Sequence, residues 1–405
     1  MVRPRHDDRT RLQSVGRFRD ARPHLPRAPV PARVPRGLEQ EVADPLLLHG
    51  GPAPRGARDA GRAPSCALAA DADAGAVVRV LTVVGTRPEL VKLSRVIARF
   101  DEVFEHRWVH TGQNWSPNLR DVFLEDLGVR RPDAQGTVGD GTPAVHVGRM
   151  LQFVDGVLAE WRPDAVLVLG DTNSALSAYA ARRRAIPVFH MEAGNRAFDD
   201  RTPEEINRRI IDHMSDVNLA YSEHARQHLL REGLRPDRIF VTGSPYREVV
   251  EHHLPAIASR RASDALGLSA GRFILASVHR EENVDDATRR RDLVQGLAAT
   301  AAQTGLEVLL VAHPRTQKAL QLDTVPAGIR VTDAPGFLDF LSLARSARCV
   351  VSDSGSLTEE SAVLGFPAVT LRRSHERPEG MDVGVLAMAE PWQIAAAVHR
   401  VCAAR

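Results

Sequence analysis

From residue 78 onward, short apolar runs alternate with longer segments whose apolar residues recur every three or four positions. Continuous runs such as Ala165–Leu169 are typical of strands buried on both faces of a parallel sheet. The runs predict strands at 78–84, 107–110, 165–169, 187–191, 216–221, 239–242, 273–277, 307–312, 329–332, 349–352 and 367–371. The helical spacing predicts helices at 88–100, 118–126, 146–160, 173–184, 203–214, 223–232, 286–304, 337–346, 357–364 and 391–402.

This alternation predicts a doubly wound α/β architecture that occurs twice, as two Rossmann-like domains whose parallel sheets face a cleft. We expect the first domain at 78–250 and the second at 251–390. Residues 246–270 carry no strong strand signal and are predicted to be the crossover between them. The last segment, 391–405, is expected to form a helix that returns to the first domain. Ligands of such sheets bind where strand carboxyl ends meet helix amino ends, so the cleft is the expected site.

The first 77 residues differ from the rest of the chain. They are rich in Arg, Pro, Ala and Gly and show neither helical spacing nor strand alternation. Such a segment buries too little apolar surface to offset its chain entropy, so we expect a disordered extension at 1–77. Interspersed acidic residues disfavour a basic nucleic-acid arm and a targeting peptide. We favour the hypothesis that translation begins near Val77 or Val78 and that the upstream residues reflect a mis-assigned start.

Composition narrows the classes of function. The chain has 405 residues, of which 43% are hydrophobic, enough for two domains with full cores. Its formal net charge is +2, but residues 1–77 carry +4, so the remainder carries −2 and does not suit nucleic acid. No apolar run reaches the roughly 20 residues of a membrane span, and three widely spaced cysteines match neither a disulfide framework nor a metal site. We expect a soluble, cytoplasmic protein without a metal.

The turn after the first predicted strand carries the most informative motif, Gly85–Glu89 followed by Lys92. A strand that ends in a tight turn at a helix amino end is an anion site, because unpaired N–H groups and the helix dipole point at it. Arg87 and Lys92 add positive charge there, and Lys92 is one of only two lysines against 51 arginines. Taken alone, an ordinary cap on a solvated helix explains the motif better.

Three acidic residues, Asp171, Glu192 and Glu204, are predicted to converge on one rim of the first sheet. Asp171 also suits a helix N-cap, and Glu204 and Glu205 suit the first turn of a helix, so each has a structural alternative. Glu192 lies between an apolar strand and Ala-Gly, where stability explains a carboxylate poorly. We predict that Glu192 is a general base whose proton affinity is raised towards neutrality by partial burial and neighbouring acids.

The second half supplies further polar residues at its strand ends. His279 follows the strand at 273–277, where it could contact a phosphate or a base, although by itself a loop histidine is the better explanation. The run Ser354–Ser356 precedes a predicted helix, and small hydroxyls with a glycine at such a place form a phosphate cradle. Glu359 and Glu360 lie one turn further along, where a carboxylate suits ribose hydroxyls better than phosphate.

Together and in this order, the motifs resemble those of the non-hydrolysing UDP-N-acetylglucosamine 2-epimerase family, whose fold is that of the GT-B glycosyltransferases. The resemblance covers about residues 78–400. It rests on Gly85–Glu89, Thr111–Gln113, Gly170–Thr172, Glu192–Gly194, Pro203–Arg208, His279–Glu281, Ser352–Gly355 and Glu376–Glu379. The resemblance implies a GT-B-like fold with UDP bound in the second domain.

It further implies that UDP is eliminated to leave an enzyme-held glycal and is then added back, which inverts C2 of the sugar without a cofactor. The residues of this chemistry correspond to Asp171, Glu192, Glu204 and His279. The contacts with UDP correspond to Arg87, Lys92, His279, Arg280, Ser354, Gly355, Ser356, Glu360 and Arg377. Of these, Arg87 and Lys92 match positions at the diphosphate, and Glu360 matches the ribose contact. The expected partners are a UDP-sugar and a second copy of the chain, since the family usually forms homodimers.

The resemblance leaves the sugar open. The first expectation is conversion of UDP-GlcNAc to UDP-ManNAc. The chain looks more like a branch that converts UDP-2-acetamido-2,6-dideoxy-L-talose to UDP-N-acetyl-L-fucosamine for surface polysaccharide in the runs Phe189–Arg196, Asp199–Pro203, Gly243–Pro245 and His375–Gly380. Asn195 stands where the glucosamine branch more often has Leu, a departure that concerns the sugar and not the reaction. Gln113 and His313 are candidates for an activator site that takes a second UDP-GlcNAc. A GT-B glycosyltransferase is disfavoured because Asp171, Glu192 and Glu204 cluster at the rim of the first domain with nothing that resembles an acceptor platform. A catalytically silent UDP-sugar sensor is disfavoured because every expected acid and Lys92 are present.

Overall fold

A computed structural model describes residues 77–113, 123–312, 316, 325–374, 376–377, 379–382 and 386–403. Within these ranges, the first half of the chain forms a seven-stranded parallel sheet in the order β3-β2-β1-β4-β5-β6-β7. Its strands are β1 Arg79–Val84, β2 Glu105–His110, β3 Ala134–Gln135, β4 Ala165–Leu169, β5 Val188–Ala193, β6 Val217–Ala220 and β7 Ile239–Val241. Its helices are α1 Arg87–Val103, α2 Pro143–Trp161, α3 Ala178–Arg183, α4 Pro203–Met214 and α5 Glu223–Arg231.

A long helix, α6 Tyr246–Arg260, and the short α7 Ala262–Ala265 lead to the second half, whose described residues form a parallel sheet in the order β10-β9-β8-β11-β12-β13. Its strands are β8 Phe273–Ser277, β9 Glu307–Ala312, β10 Ile329–Asp333, β11 Cys349–Ser352, β12 Ala368–Thr370 and β13 Leu386–Met388. Its helices are α8 Glu281–Val284, α9 Ala287–Thr304, α10 Phe337–Ser346, α11 Leu357–Leu364, α12 Glu379–Asp382 and α13 Ile394–Ala403. Two parallel α/β sheets confirm the predicted fold class.

The strand order places the predicted motifs at the point where each sheet changes direction. In the first sheet the order reverses between β1 and β4, which are followed by the turns at Gly85 and Gly170. In the second sheet it reverses between β8 and β11, which are followed by the segments at His279 and Asp353. Connections leave such a point towards opposite faces and open a crevice, which is where ligands of these folds bind.

The apolar core joins the two halves. Leu81 and Val83 of β1 enter one buried cluster and Val84 enters another, so both faces of the first sheet are covered. The second of these clusters also contains Leu338 and Leu341 of α10, which belong to the second half. It further contains four buried residues of the linking helix α6: Tyr246, Val249, Val250 and Ile257. The two sheets are therefore joined through a shared core.

Four elements differ from the expectations. The edge strands β3 and β13 have two and three residues, too few for a periodic signal, and were not predicted. Helix α6 occupies much of the predicted crossover and carries Pro255 within it, which reduces the helical signal. The helix predicted at 173–184 begins as a 3₁₀ turn at Ser174–Ser177 and continues as α3. Most of the helix predicted at 118–126 lies outside the described residues.

The expectation that the last helix returns to the first domain is corrected by its packing. Helix α13 buries Ile394, Ala397, Val398 and Val401 in a cluster built from β8, β9, β11 and α9 of the second sheet. Its apolar face is satisfied there, so it has no comparable face left for the first domain. Within the described part of the chain, no helix is long and apolar enough to cross a membrane. The extension predicted at 1–77 lies, except for Val77, outside the described residues.

Candidate active site

A cavity of about 210 Å³ lies between the carboxyl ends of the two sheets. Its walls come from the turns after β1, β4 and β5 of the first sheet and from the segments after β8 and β11 of the second. Of the residues predicted from sequence, it is lined by Lys92, Asp171, Glu192, Glu204, His279, Arg280, Ser354, Gly355, Ser356 and Arg377. We call this space the acidic cavity. Residues more than 280 positions apart in the chain thus meet at one place.

A second cavity of about 330 Å³ shares Lys92, His279, Ser354 and Ser356 with the first. Most of its walls are apolar, and its polar residues include the two predicted UDP contacts that are absent from the acidic cavity. The apolar residues are Val91, Phe123, Val311, Ala334, Pro335, Phe337 and Phe340, and the two predicted contacts are Arg87 and Glu360. We call this space the apolar cavity. A flat apolar ring with a polar rim fits it better than a sugar does.

Glu192 owes its orientation to an irregularity at the end of β5. Its φ is +66°, uncommon for a residue with a side chain, and the pairing register of β5 shifts between Met191 and Ala193. A bulge of this kind points a side chain out of the regular alternation of the strand. Here it directs the Glu192 carboxylate into the acidic cavity, and strained backbone of this kind tends to cluster at functional sites.

Two cations hold the Glu192 carboxylate. The Lys92 Nζ lies 2.5 Å from Glu192 Oε2, and Arg377 of the second half donates to Glu192 Oε1. Burial alone would raise the pKa of Glu192, but the charges of Arg377 and Lys92 outweigh it and lower the pKa to about 2. The predicted rise in proton affinity is therefore wrong for this arrangement. The error has a physical cause, since neighbouring acids were anticipated but the two direct cation contacts were not.

Glu359 completes this buried group and was not singled out from sequence. It accepts hydrogen bonds from Arg377 and from Ser244, and its Oε2 lies 3.4 Å from Lys92 Nζ. Each of the four charged side chains is at most 10% exposed. The group therefore consists of two carboxylates and two cations, Glu192, Glu359, Lys92 and Arg377. The adjacent acids at 359 and 360 were the only sequence signal, and it did not separate their roles.

Asp171 lines the same cavity, but its pKa is shifted in the direction opposite to that of Glu192. Its carboxylate is paired with Arg208 of α4. Burial raises the pKa of Asp171 above its ordinary value, and the charges of Glu192 and Glu376 add to the rise while Arg208 opposes it. Glu376, whose Oε2 lies 2.8 Å from Arg372 Nη1, has a pKa below its ordinary value because nearby arginines outweigh its burial. Arg208, Arg372 and Glu376 line the cavity but were not among the predicted site residues.

Glu204 and Glu205, adjacent in the first turn of α4, have different surroundings, which the sequence did not distinguish. Glu204 lines the acidic cavity and is partly exposed. Glu205 is fully buried and points the other way, where it accepts from the backbone N–H groups of Ala197 and Phe198 at 2.9 and 3.3 Å. It also pairs with Arg208 at 2.6 Å. Glu205 therefore anchors the segment that follows β5, while Glu204 is available to a ligand.

His279 is held through Asp353, another residue without a predicted role. Asp353 is fully buried and accepts from the backbone N–H groups of His279 and Arg280 at 3.1 and 2.9 Å and from the Asn283 side chain at 2.8 Å. The His279 Nδ1 lies 3.2 Å from Asp353 Oδ1, and about half of the imidazole remains exposed. The ring is thus fixed on one side and open on the other to both cavities.

The hydroxyl run forms a chain that ends at Glu360. Ser354 Oγ lies 2.9 Å from Ser356 Oγ, which donates to Glu360 Oε1 at 2.6 Å. Burial raises the pKa of Glu360 to about 7, with the neighbouring charge of Glu359 adding to the rise and the Ser356 hydroxyl opposing it. Gly355 lies between these serines and lines the acidic cavity. The chain leads from one cavity to the other, as a site that binds the two ends of one ligand requires.

Three of the remaining predicted residues, Arg87, Gln113 and Asn195, do not line the acidic cavity. The Arg87 guanidinium stands 5.9 Å from the centre of the Phe123 ring, and burial lowers its pKa. Gln113, a candidate for an activator site, accepts from Ser174 N–H at 3.0 Å and lines neither cavity. His313, the other candidate, lies outside the described residues. Asn195 is buried beside Tyr221 and Ser244 in a separate pocket and does not line the acidic cavity.

The chain is similar to known proteins at the level of family, individual relatives and solved structures. The sequence model of Epimerase_2, described as UDP-N-acetylglucosamine 2-epimerase, matches residues 98–405. The chain belongs to the UDP-N-acetylglucosamine 2-epimerase family. Its members are isomerases that act on UDP-sugars, and the resemblance stated from the motifs is confirmed.

Three members of the family illustrate the similarity. A solved UDP-N-acetylglucosamine 2-epimerase from Rickettsia bellii is 42% identical, with a TM-score of 0.75 over 81% of this chain and 88% of that one. The Methanocaldococcus jannaschii UDP-GlcNAc 2-epimerase, solved in complex with UDP-GlcNAc and UDP, is 33% identical, with a TM-score of 0.74 over 80% of this chain and 93% of that one. The Pseudomonas aeruginosa UDP-2,3-diacetamido-2,3-dideoxy-D-glucuronate 2-epimerase is 34% identical over 313 residues, 76% of this chain and 87% of its own.

Proposed function

We propose that this epimerase inverts C2 of UDP-GlcNAc to give UDP-ManNAc, by eliminating UDP and adding it back to an enzyme-held 2-acetamidoglucal. The observation that carries the proposal is the acidic cavity, where Asp171, Glu192 and Glu204 surround one space that is also lined by Lys92 and Arg377. Proton transfer at carbon and departure of an anion require those two kinds of group within reach of one sugar.

The chemistry explains why cations and acids occur together. The C2–H is a very weak acid because its carbon bears an acetamido group and no carbonyl lies next to it, so cleavage of the C1–O bond to UDP must accompany or precede its removal. The leaving diphosphate gains charge, which Lys92, Arg377 and the amino end of α11 are placed to stabilise. Addition of UDP back to C1, with a proton delivered to the opposite face of C2, restores a nucleotide sugar with the other configuration.

The opposite proton affinities of two acids support separate roles. Groups whose surroundings shift their pKa values apart are natural partners for acid and base steps. Asp171, with its pKa raised, is assigned to proton delivery. Glu192, ionised in the ion group, is assigned to proton removal. The diphosphate attracts the same two cations that hold Glu192, and as they turn to it the carboxylate becomes more basic, so substrate binding itself prepares the base.

The apolar cavity supplies the other half of recognition. Its aromatic and aliphatic walls suit a pyrimidine ring, and Glu360 at its rim suits a pair of ribose hydroxyls. The hydroxyls of Ser354 and Ser356 lie between the two spaces and suit the phosphates that join nucleoside to sugar. The site as a whole therefore matches a nucleoside diphosphate sugar from base to hexose.

Proton NMR of the protein with UDP-GlcNAc in D₂O tests the proposal. We expect UDP-ManNAc to form with deuterium at C2. Glu192→Gln should lower this turnover by about 10² to 10⁴, the usual contribution of a general base. The variant should bind UDP at least as tightly as the wild type, because it removes one of the two carboxylates that compete with the diphosphate for Lys92 and Arg377. Glu223→Gln, an exposed position on α5, serves as the control and should remain fully active.

Other outcomes point elsewhere. Loss of UDP binding in Glu192→Gln would make Glu192 a structural residue and remove it from the mechanism. No turnover of UDP-GlcNAc, with UDP still bound, would overturn the proposed sugar, and exchange at C2 of UDP-2-acetamido-2,6-dideoxy-L-talose or of UDP-2,3-diacetamido-2,3-dideoxy-D-glucuronate would then identify the substrate. Failure with all three sugars would favour the glycosyltransferase or the sensor.

A further inference from the structure

Helix α1 sends two charged side chains from its first turns towards two different strand ends. Lys92 reaches Glu192 at the end of β5. Glu89, three residues earlier and therefore on the same face of the helix, reaches the turn after β4. Glu89 is 1% exposed, yet it lines the acidic cavity. Neither the motif analysis nor the proposed mechanism gives it a role.

The hydrogen bonds of Glu89 join two turns of the sheet. Its Oε2 accepts from Gly85 N–H at 3.0 Å and from the Thr86 hydroxyl at 2.8 Å, both in the turn after β1. Its Oε1 accepts from the Thr172 hydroxyl at 2.9 Å, in the turn after β4. Thr172 adjoins Asp171, and its hydroxyl oxygen also accepts from Ala175 N–H at 3.2 Å. A carboxylate, which only accepts, suits all three donors.

We infer that Glu89 is a positioning residue for epimerisation: through Thr172 it holds Asp171 in place relative to Glu192, which Lys92 of the same helix holds in turn. The inference rests on the proposed function, since it takes Asp171 and Glu192 as the proton-transferring pair. One rigid helix then sets the spacing of both acids. The spacing matters because a misplacement of about 1 Å can lower a rate by about 10².

An ordinary helix cap does not account for this arrangement. A capping acid in the first turn bonds to the N–H groups of its own helix end and lies at the surface. Glu89 instead carries a bond to a separate strand end and is buried, and burial raises its pKa to about 7 despite the bonds to Thr86, Thr172 and Gly85. Burial at this position penalises the charged form of the carboxyl group. A cap that served only its own helix would not need to be buried.

Two substitutions break the link from its two ends. In Glu89→Leu the side chain has no oxygen that can accept a hydrogen bond, so the Thr172 hydroxyl loses its acceptor. Glu89→Gln does not break the link in this way, because its amide NH₂ can donate to the Thr172 hydroxyl oxygen. Thr172→Val removes the donor from the other side with little change of shape. Ser94→Ala is the matched control, because it also removes a buried hydroxyl bond from α1, but one that goes to Val91 of the same helix.

We expect kcat, normalised to the number of UDP sites by calorimetry, to fall at least tenfold in Glu89→Leu and in Thr172→Val. KM for the UDP-sugar and the dissociation constant of UDP should stay within about twofold, because neither residue is assigned to UDP. The double variant should be no more than about threefold slower than the slower single variant, since both changes remove one link. Ser94→Ala should lower the melting temperature but keep kcat within twofold.

Three results would overturn the inference. Normalised kcat unchanged in Glu89→Leu would leave Glu89 with a structural role only. A higher dissociation constant for UDP at constant kcat would assign it to the nucleotide. Multiplying effects in the double variant would show that the two residues act separately.

The proposed function and the positioning role of Glu89 can fail separately. Turnover by the wild type tests the proposed function without any Glu89 variant. If the wild type binds UDP but epimerises no UDP-sugar, crystal structures of wild type and Glu89→Leu decide the positioning. A 170–172 turn displaced relative to Glu192 in the variant supports the link. Superimposable turns in the two structures contradict it.

Discussion

At the residue scale, the site shows that surroundings rather than residue type decide proton affinity. Four glutamates whose pKa values are clearly shifted line the two cavities. Glu192 and Glu376 touch arginine or lysine, and their pKa values lie below the ordinary value because these charges outweigh burial. Glu89 and Glu360 are held mainly by hydroxyl and amide donors, and burial raises the pKa of each to about 7. Hydrogen bonds from neutral donors only partly replace the hydration that the carboxylate loses on burial. Direct contact with a cation stabilises the charged form by more than burial destabilises it.

Glu360 makes this difference measurable as a pH dependence of stability. Its pKa is raised from 4.5 to about 7 by burial, so between these values the folded state holds a proton that the unfolded state has lost. The free energy of unfolding therefore falls as pH rises through this window. Without UDP, the stability of Glu360→Gln relative to wild type should rise by about 2 kcal/mol from pH 5 to pH 8.

Urea unfolding of both proteins at the two pH values measures the change. Other titrating groups are common to both proteins, so their contributions cancel in the difference between the two free energies of unfolding. The difference measured at pH 5 serves as the reference. Equal differences at pH 5 and pH 8 would show that Glu360 is ionised in the folded protein at both.

At the element scale, the turn from β1 to α1 is limited by space. A Cβ added at Gly85 would lie 1.7 Å from the Ser174 hydroxyl oxygen and 2.7 Å from that of Thr111. Both hydroxyls are buried and 2.6 Å apart in a hydrogen bond, so neither can move aside freely. Glycine is needed here because two strand ends pack together, and the same close packing brings Glu89 within reach of Thr172.

Gly85→Ala should therefore lower the free energy of unfolding by about 1 to 3 kcal/mol, the usual cost of overpacking. Gly156→Ala is the matched control, since Gly156 is exposed within α2 and a Cβ there meets no atom within 4 Å. That variant should be more stable than wild type by about 0.5 to 1 kcal/mol. Urea unfolding gives both values, and similar stabilities for the two variants would contradict the packing argument.

At the scale of the whole molecule, the shared core predicts that both halves unfold together. Leu338 and Leu341 of α10 pack in one cluster with Leu90 and Leu93 of α1. The contacts between the ion-paired residues Glu192 and Arg377 also span the two halves. A destabilised second half would therefore expose core residues of the first, which favours one cooperative transition.

Leu341→Ala tests this coupling from the second half. The change should cost about 2 to 5 kcal/mol, as for other buried leucines. In a Trp392→Phe background the remaining tryptophans, 108, 115 and 161, all precede the linking helix. We expect Leu341→Ala to shift their fluorescence transition and the circular dichroism transition to the same lower urea concentration. A fluorescence transition that stays in place would show that the halves unfold independently.

The sequence by itself determined the fold class and the location of the site. The strands are apolar runs because parallel strands are buried on both faces. This pattern can be recognised within each segment, without knowing which strands lie next to it. The motifs that follow β1, β4, β8 and β11 could be assigned to one cleft because the doubly wound topology brings such segments together. Short edge strands and the linking helix carried too weak a pattern to be predicted.

The tertiary structure alone decided how the side chains at that site are paired. Arg377 stands 185 positions from Glu192, and only the folded chain brings them together. That contact reverses the predicted proton affinity of Glu192 and gives Glu359, rather than Glu360, a place in the ion group. Likewise, nothing local shows that Glu89 reaches Thr172. Charge interactions act over a few ångströms of space whatever the distance along the chain, so the sequence locates these groups but the fold determines their chemistry.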